Sequence, residues 1–186
     1  MKLYGSFTSP FVRHVRIVIL ETGLPCEFIE TDQNSSAEKS PTKRVPFFED
    51  GDIFLTDSSS IVKYLREKVG QHFCKTAKEL DEYCLVNTLL EATTNLFFIK
   101  RDGVDIQPVP YLQRQAARIA SILTDINQLP FPSSPPYSDM QLRLACYIGW
   151  SKLRNQVDFS NYSHLENFYS NLQEYPPFKA TLPPQS

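Results

Sequence analysis

The chain has 186 residues, with 19 Lys and Arg against 21 Asp and Glu and a formal net charge of -2 at pH 7. That length supports one good-sized domain or two small ones with a substantial core, and the near balance of charge, without a long run of either sign, argues against nucleic acid or an anionic membrane as partner. No stretch approaches transmembrane length, and MKLYGSF follows its single Lys with Tyr, Gly and Ser instead of an apolar segment, so a cytoplasmic protein is expected.

Along the chain, KLYGSF reads as a short strand. A helix follows, capped by Ser9, with Pro10 at its first position, Gly23 as C-cap and Pro25 just beyond. CEFIET alternates like a strand, which gives a strand-helix-strand start suited to a parallel pair. NSSAEKSPTK is polar and turn-rich, and predicts a loop holding at most a short helical turn. RVPFFEDGDIFLTD has two apolar runs around Asp50-Gly51, a hairpin pattern. DSSSIVKYLREKVG then places Ile61, Leu65 and Val69 at helical spacing and ends at Gly70.

From about Thr76 the pattern changes to long helices, with GQHFCKTAKE as the linker. Leu85, Leu89, Ala92, Leu96 and Ile99 share one helix face, and Leu112, Ala116, Ile119, Leu123 and Ile126 share another. After the proline-rich LPFPSSPPY, Ser138 and Gln141 form an S-x-x-Q capping box, and Leu142, Cys146, Trp150 and Leu153 share the next face. A last helix around HLENFYSNLQEY is expected to stop at Pro176 and Pro177. Cys26, Cys74, Cys84 and Cys146 are widely spaced and read as reduced, mostly buried thiols; with His14, His72 and His164 scattered, no metal site is expected.

Taken in order, TSPFVRHVRIVILETGLPCEF, SPTKRVPFFEDGDIFLTDSSSIVKYL and YPPFKATLPP resemble the cytosolic glutathione S-transferase superfamily, in its bacterial serine-type form, over nearly the whole chain. The resemblance implies an α/β plus all-α architecture: a thioredoxin-like glutathione-binding domain over 1-72, a linker over 73-79 and an α-helical bundle domain over 80-186. It also implies roles residue by residue. Ser9 falls where a hydroxyl hydrogen-bonds the glutathione sulfur. Val45 falls where the main chain pairs with the cysteinyl backbone, before a cis-proline at Pro46. Arg44 stands at the glycine-side position, Asp57 and Ser58 match the acidic-serine pair at the γ-glutamyl end, and Phe11 joins the binding set.

Those roles fit the chemistry. A thiol with an unperturbed pKa of about 8.5 must be held as thiolate to attack an electrophile, and a hydroxyl donor at a helix N-terminus favours the anion. Without the resemblance, Ser9 and Asp57 are helix caps, and Ser6, Thr8 and Tyr4 are alternative hydroxyls near Ser9. An apolar second-substrate pocket is expected with Phe7 and Phe11 as walls, joined by Phe97, Phe98 or Tyr111. The family pattern is departed from in the short stretch between Thr31 and Val45, in an aspartate at 57 where glutamate is common, and in Gln141 where an aspartate usually closes the capping box.

The implied activity is that of a glutathione transferase in detoxification, which joins glutathione, as co-substrate, to a hydrophobic electrophile or uses it in peroxide or thiol chemistry. A homodimer is implied as well. The alternative is a non-catalytic adaptor on the same fold, resembling the stringent-starvation-type regulators.

Overall fold

The computed structural model describes residues 1-184, with Gln33, Asn34 and Ala37 described by their backbone alone. It divides into two compact units, Met1–Lys75 joined by the chain from Gln173 onward, and Thr76–Leu172. The sequence expectation assigned the last residues to the helical domain; they belong instead to the first unit. Tyr175, Phe178 and Thr181 meet side chains of the first helix more than 150 positions earlier, a relation no local pattern carries.

The first unit is a four-stranded sheet with helices. Strand β1 (Lys2–Gly5) leads into α1 (Pro10–Thr22), then come β2 (Glu27–Glu30), α2 (Gln33–Lys39), β3 (Phe47–Asp50), β4 (Ile53–Leu55) and α3 (Ser58–Lys68). The strand order is β2-β1-β3-β4, with β1 and β2 parallel and β3 antiparallel to both β1 and β4. This is the expected thioredoxin-like order. The β3–β4 turn is two residues long, and Gly51 takes the left-handed conformation it requires at φ 59°. The core joins Leu3 and Phe48 of the sheet to Val12, Val15 and Val18 of α1 and Ile61, Val62 and Leu65 of α3. Where β1 ends, the helix comes very close: a Cβ on Gly5 would lie 2.6 Å from both methyl carbons of Val12, so only glycine fits there.

Three local expectations change. The stretch read as a loop with at most one helical turn contains α2, seven residues long, capped by Asp32, whose carboxylate accepts the Ser35 N–H at 2.7 Å. Its sequence, QNSSAEK, has Ala37 as its one apolar residue, so no apolar stripe announced it. Pro176 and Pro177 do not merely stop a helix but begin one, α8 (Pro176–Lys179), since proline is tolerated in a first helical turn. Cys84 is exposed; Cys26 and Cys74 are half-buried and Cys146 is buried.

The second unit contains α4 (Ala77–Arg101), α5 (Pro110–Ile126), α6 (Asp139–Leu153) and α7 (Ser163–Leu172). Helix α4 begins inside the expected linker, where Thr76 accepts the Glu79 N–H at 3.1 Å. The predicted faces hold for Leu89, Ala92, Leu96, Ile119, Leu123 and Ile126, all buried, while Leu85 and Ile99 are half-buried. Helix α6 is buried nearly all round through Leu142, Leu144, Ala145, Cys146, Tyr147 and Ile148, yet Leu153 at its end is exposed. Its capping box is complete, with Ser138 Oγ accepting from Gln141 N at 3.3 Å and Gln141 Oε1 accepting from Ser138 N at 2.9 Å. Among the described residues no helix is long and apolar enough to cross a membrane.

Candidate functional site

Strand register brings three chain segments to one end of the sheet. Tyr4 pairs with Phe47 and Phe48 with Leu55, so the end of β1, the start of β3 and the end of β4 coincide there. Ser9 follows the first, Arg44, Val45 and Pro46 precede the second, and Asp57 and Ser58 follow the third. The residues that the resemblance assigns to glutathione therefore belong to segments that enter or leave this end.

Each has a definite local role. Ser9 is the N-cap of α1, in extended conformation, and its Oγ accepts the Val12 N–H at 3.4 Å. That bond uses an oxygen lone pair and leaves the hydroxyl proton available for donation. Pro10 at the next position has no N–H to satisfy, and Phe11 is half-buried. Ser6 and Thr8 are otherwise engaged: their hydroxyls lie 3.1 Å apart and the Thr8 N–H donates to Ser6 Oγ at 3.3 Å. Tyr4 is also committed, donating to Glu49 at 3.0 Å, and burial, reinforced by that bond, pushes its phenol above the ordinary range. Of the four candidate hydroxyls, Ser9 is the one seated at the start of the helix.

Asp57 caps α3, with one oxygen accepting Ser59 N at 2.8 Å and Ser60 N at 3.2 Å. Its carboxylate is exposed, while Ser58, the first helical residue, is 4% exposed. The Val45–Pro46 bond is cis, as the resemblance implies, and Pro46 is buried with Val45 half-buried. Arg44 is exposed in the turn ahead of β3, beside Lys43 at φ 53°. Two helix starts, each with a polar cap, thus flank an extended strand entry, an arrangement able to hold an anion, a peptide-like backbone and an ammonium.

The proposed pocket walls have partners of their own. Phe7 packs on Phe28 with ring centres 4.8 Å apart, and in the helical unit Phe97 meets Phe98 at 5.3 Å and Trp150 edge-on at 5.5 Å; Tyr111 is exposed. The helical unit also carries a surface cavity of about 380 Å³ lined by Lys152, Asn155, Val157, Asp158, Phe159 and Glu166. There the Lys152 ammonium already binds both oxygens of Glu166, at 2.6 and 2.7 Å.

Sequence reasoning missed the partners of α1. Arg13 and Arg16 stand among the apolar residues of α1, and both reach the chain near Thr181. The available signal was the burial such positions impose, since a buried guanidinium must have its donors accepted.

Comparison with known proteins bears on the family and the fold. The profile of the family described as "Glutathione S-transferase, N-terminal domain" matches residues 3–73. A probable glutathione S-transferase GSTF2 of Oryza sativa subsp. japonica is 33% identical over 104 residues, covering 52% of this chain and 48% of the rice protein. An uncharacterized GST-like protein of Escherichia coli, YibF, is 41% identical over 71 residues, 35% of each chain. The chain thus spans about half or less of the length of these curated relatives. The fold as a whole is similar to a Methylobacillus flagellatus glutathione S-transferase solved with glutathione bound, at TM-score 0.85 and 22% identity, covering 98% of this chain and 99% of the other.

Proposed function

Because the chain belongs to the cytosolic glutathione S-transferase superfamily, we propose that it binds glutathione at the end of the sheet described above and activates its thiol for attack on an apolar electrophile. The observation that carries this reading is the Ser9 cap: its oxygen takes the Val12 N–H, and its proton remains to be donated to a sulfur anion. In this reading Val45 offers its backbone to the cysteinyl residue, Phe11 and Arg44 border the cysteinyl and glycyl parts, and the α-ammonium meets the second oxygen of Asp57. The α-carboxylate lies at the start of α3 against Ser58.

The chemistry follows from the charge. Ser9 and the positive end of α1 favour thiolate over thiol, and each pKa unit of that preference is worth about 1.4 kcal/mol. The thiol proton passes to solvent, the sulfur lone pair forms the carbon–sulfur bond, and the electrophile's leaving group departs with its bonding pair. Ser9 acts as an anion stabiliser and never becomes a covalent nucleophile. The active form in this reading is a cytoplasmic homodimer, which size-exclusion chromatography with light scattering tests directly.

Calorimetric titration with reduced glutathione, paired with ultraviolet titration of the bound thiol, tests the site. The expected result is saturable binding by both the parent and Ser9→Ala, with a lowered thiol pKa in the parent alone. No binding at millimolar ligand overturns the reading and leaves the non-catalytic adaptor in its place.

A further inference from the structure

Arg13 and Arg16 stand in α1 together with the polar residues His14 and Glu21, and both arginines are met by the returning chain. Arg13 is 3% exposed. Its Nη2 donates to the Phe178 carbonyl at 3.0 Å and its Nε to Thr181 Oγ1 at 3.4 Å, and its guanidinium carbon lies 3.8 Å from the centre of the Phe178 ring. Arg16 Nη1 donates to the Thr181 carbonyl at 3.4 Å while the same guanidinium lies over the rings of Phe7 and Phe28, at 4.7 and 5.1 Å. Toward the other end of α1, the Tyr175 hydroxyl donates to Glu21 at 2.6 Å, and the second oxygen of Glu21 binds Arg66 of α3 at 2.5 Å. The returning segment therefore grips α1 at three places along its length.

The grip falls next to the candidate site. Ser9 is one helical turn before Arg13, and the Arg13 N–H donates to the Ser9 carbonyl at 2.9 Å. Phe7, two residues before Ser9, is held on the other side by Arg16. Removing the acceptors of a buried guanidinium is costly, so any movement of the first turn of α1 must either carry Phe178 and Thr181 along or break charged hydrogen bonds.

We infer that the segment Tyr175–Thr181 is a strap that fixes the first turn of α1, with Arg13 as a positioning residue that aims the Ser9 hydroxyl. The aiming rests on Ser9 being the thiolate donor; the fixing of the turn does not. Arg13 touches no reacting atom. It acts by holding the backbone from which Ser9 projects.

The test uses full-length Arg13→Met, Arg13→Lys and Thr181→Val proteins, read by the ultraviolet titration of bound glutathione and by hydrogen exchange of the Val12 and Arg13 amides. In Arg13→Met the bound-thiol pKa is expected to rise toward that of free glutathione, and those two amides to exchange about tenfold faster with α3 unchanged, the size of effect that loss of one charged hydrogen bond gives. Arg13→Lys is expected to recover part of both effects, because an ammonium can still donate to the Phe178 carbonyl. Identical thiol pKa and exchange in the parent and Arg13→Met overturn the strap. If Arg13→Met does not fold, Thr181→Val is expected to shift both readouts in the same direction by less, and no shift overturns the inference equally. If the parent binds no glutathione, faster exchange in the variants keeps the strap and rejects the thiolate reading; unchanged exchange rejects both.

Discussion

In the sheet unit, apart from the buried Arg13, the caps Ser9 and Asp57 stand at helix starts near the surface and accept backbone N–H groups at one end of the sheet. In the helical unit a polar network lies inside: Arg143 is fully buried, donating to the Tyr83 hydroxyl and to Asn87 at 3.2 Å, and Tyr147 is buried against Thr93 at 3.3 Å. The difference separates two uses of polarity. A cap satisfies a helix and still leaves a donor or an oxygen to offer a ligand, whereas an interior network spends its capacity on the protein itself. Substitutions in the sheet unit should therefore disturb binding and stability together, and those in the helical interior stability alone.

The strongest challenge to that division is Leu144→Ala, which empties a fully buried site in α6. It is expected to cost about 2–5 kcal/mol in urea unfolding and to leave glutathione affinity per folded molecule unchanged. A loss of affinity in the folded fraction would break the comparison.

A second test is pH. Burial pushes the Tyr147 hydroxyl up to about 12 from an unfolded value of 10.0. The folded state thus holds its proton more tightly, so the contribution is complete below pH 10 and disappears as pH rises through 12. At about 1.4 kcal/mol per unit, the parent should lose up to ~3 kcal/mol across that window, while Tyr147→Phe lacks this part of the loss. Unfolding at a series of alkaline pH values measures it.

Gly5→Ala sharpens the other side. A Cβ there meets Val12 at 2.6 Å, in the turn that leads to Ser9. Overpacking of this kind is expected to cost about 1–3 kcal/mol and to weaken glutathione binding as well. Adding Val12→Ala removes the offending methyl groups and should restore part of the binding, though not the lost core contact.

The smallest stability effect is expected of Asp57→Ala, about 1 kcal/mol for a lost cap. Its effect on affinity should be larger, tenfold or more, if the carboxylate also meets the ammonium; loss of one charged hydrogen bond is worth about 1.5–3 kcal/mol. Asp57→Asn separates the roles, since it keeps the cap and removes the charge. Thermal unfolding beside calorimetry reads both.

What could be read from the residues alone follows the range of the interactions. The caps at Ser9, Asp57 and Ser138, the turn at Gly51 and the buried faces of α4 and α5 depend on neighbours a few positions away, and they stand where the patterns placed them. The end of the sheet that collects Ser9, Val45 and Asp57 was legible only through the family resemblance, because strand register is a relation between distant segments. Helix α2 escaped for want of an apolar stripe. The contacts of Arg13, Arg16 and Glu21 with the returning chain escaped because each joins residues more than 150 positions apart.

The return of the chain from Gln173 to the first unit has a consequence in time. A ribosome makes the sheet strands, α1 and α3 first, then the whole of α4 to α7, and only then Phe178 and Thr181, which accept from Arg13. At about 5–20 residues per second, the 165 positions from Arg13 to Phe178 leave that guanidinium waiting for roughly 8–33 seconds without its native acceptors. The nascent first unit must wait with a charge it cannot yet bury, and it is completed only once Phe178 and Thr181 have been made.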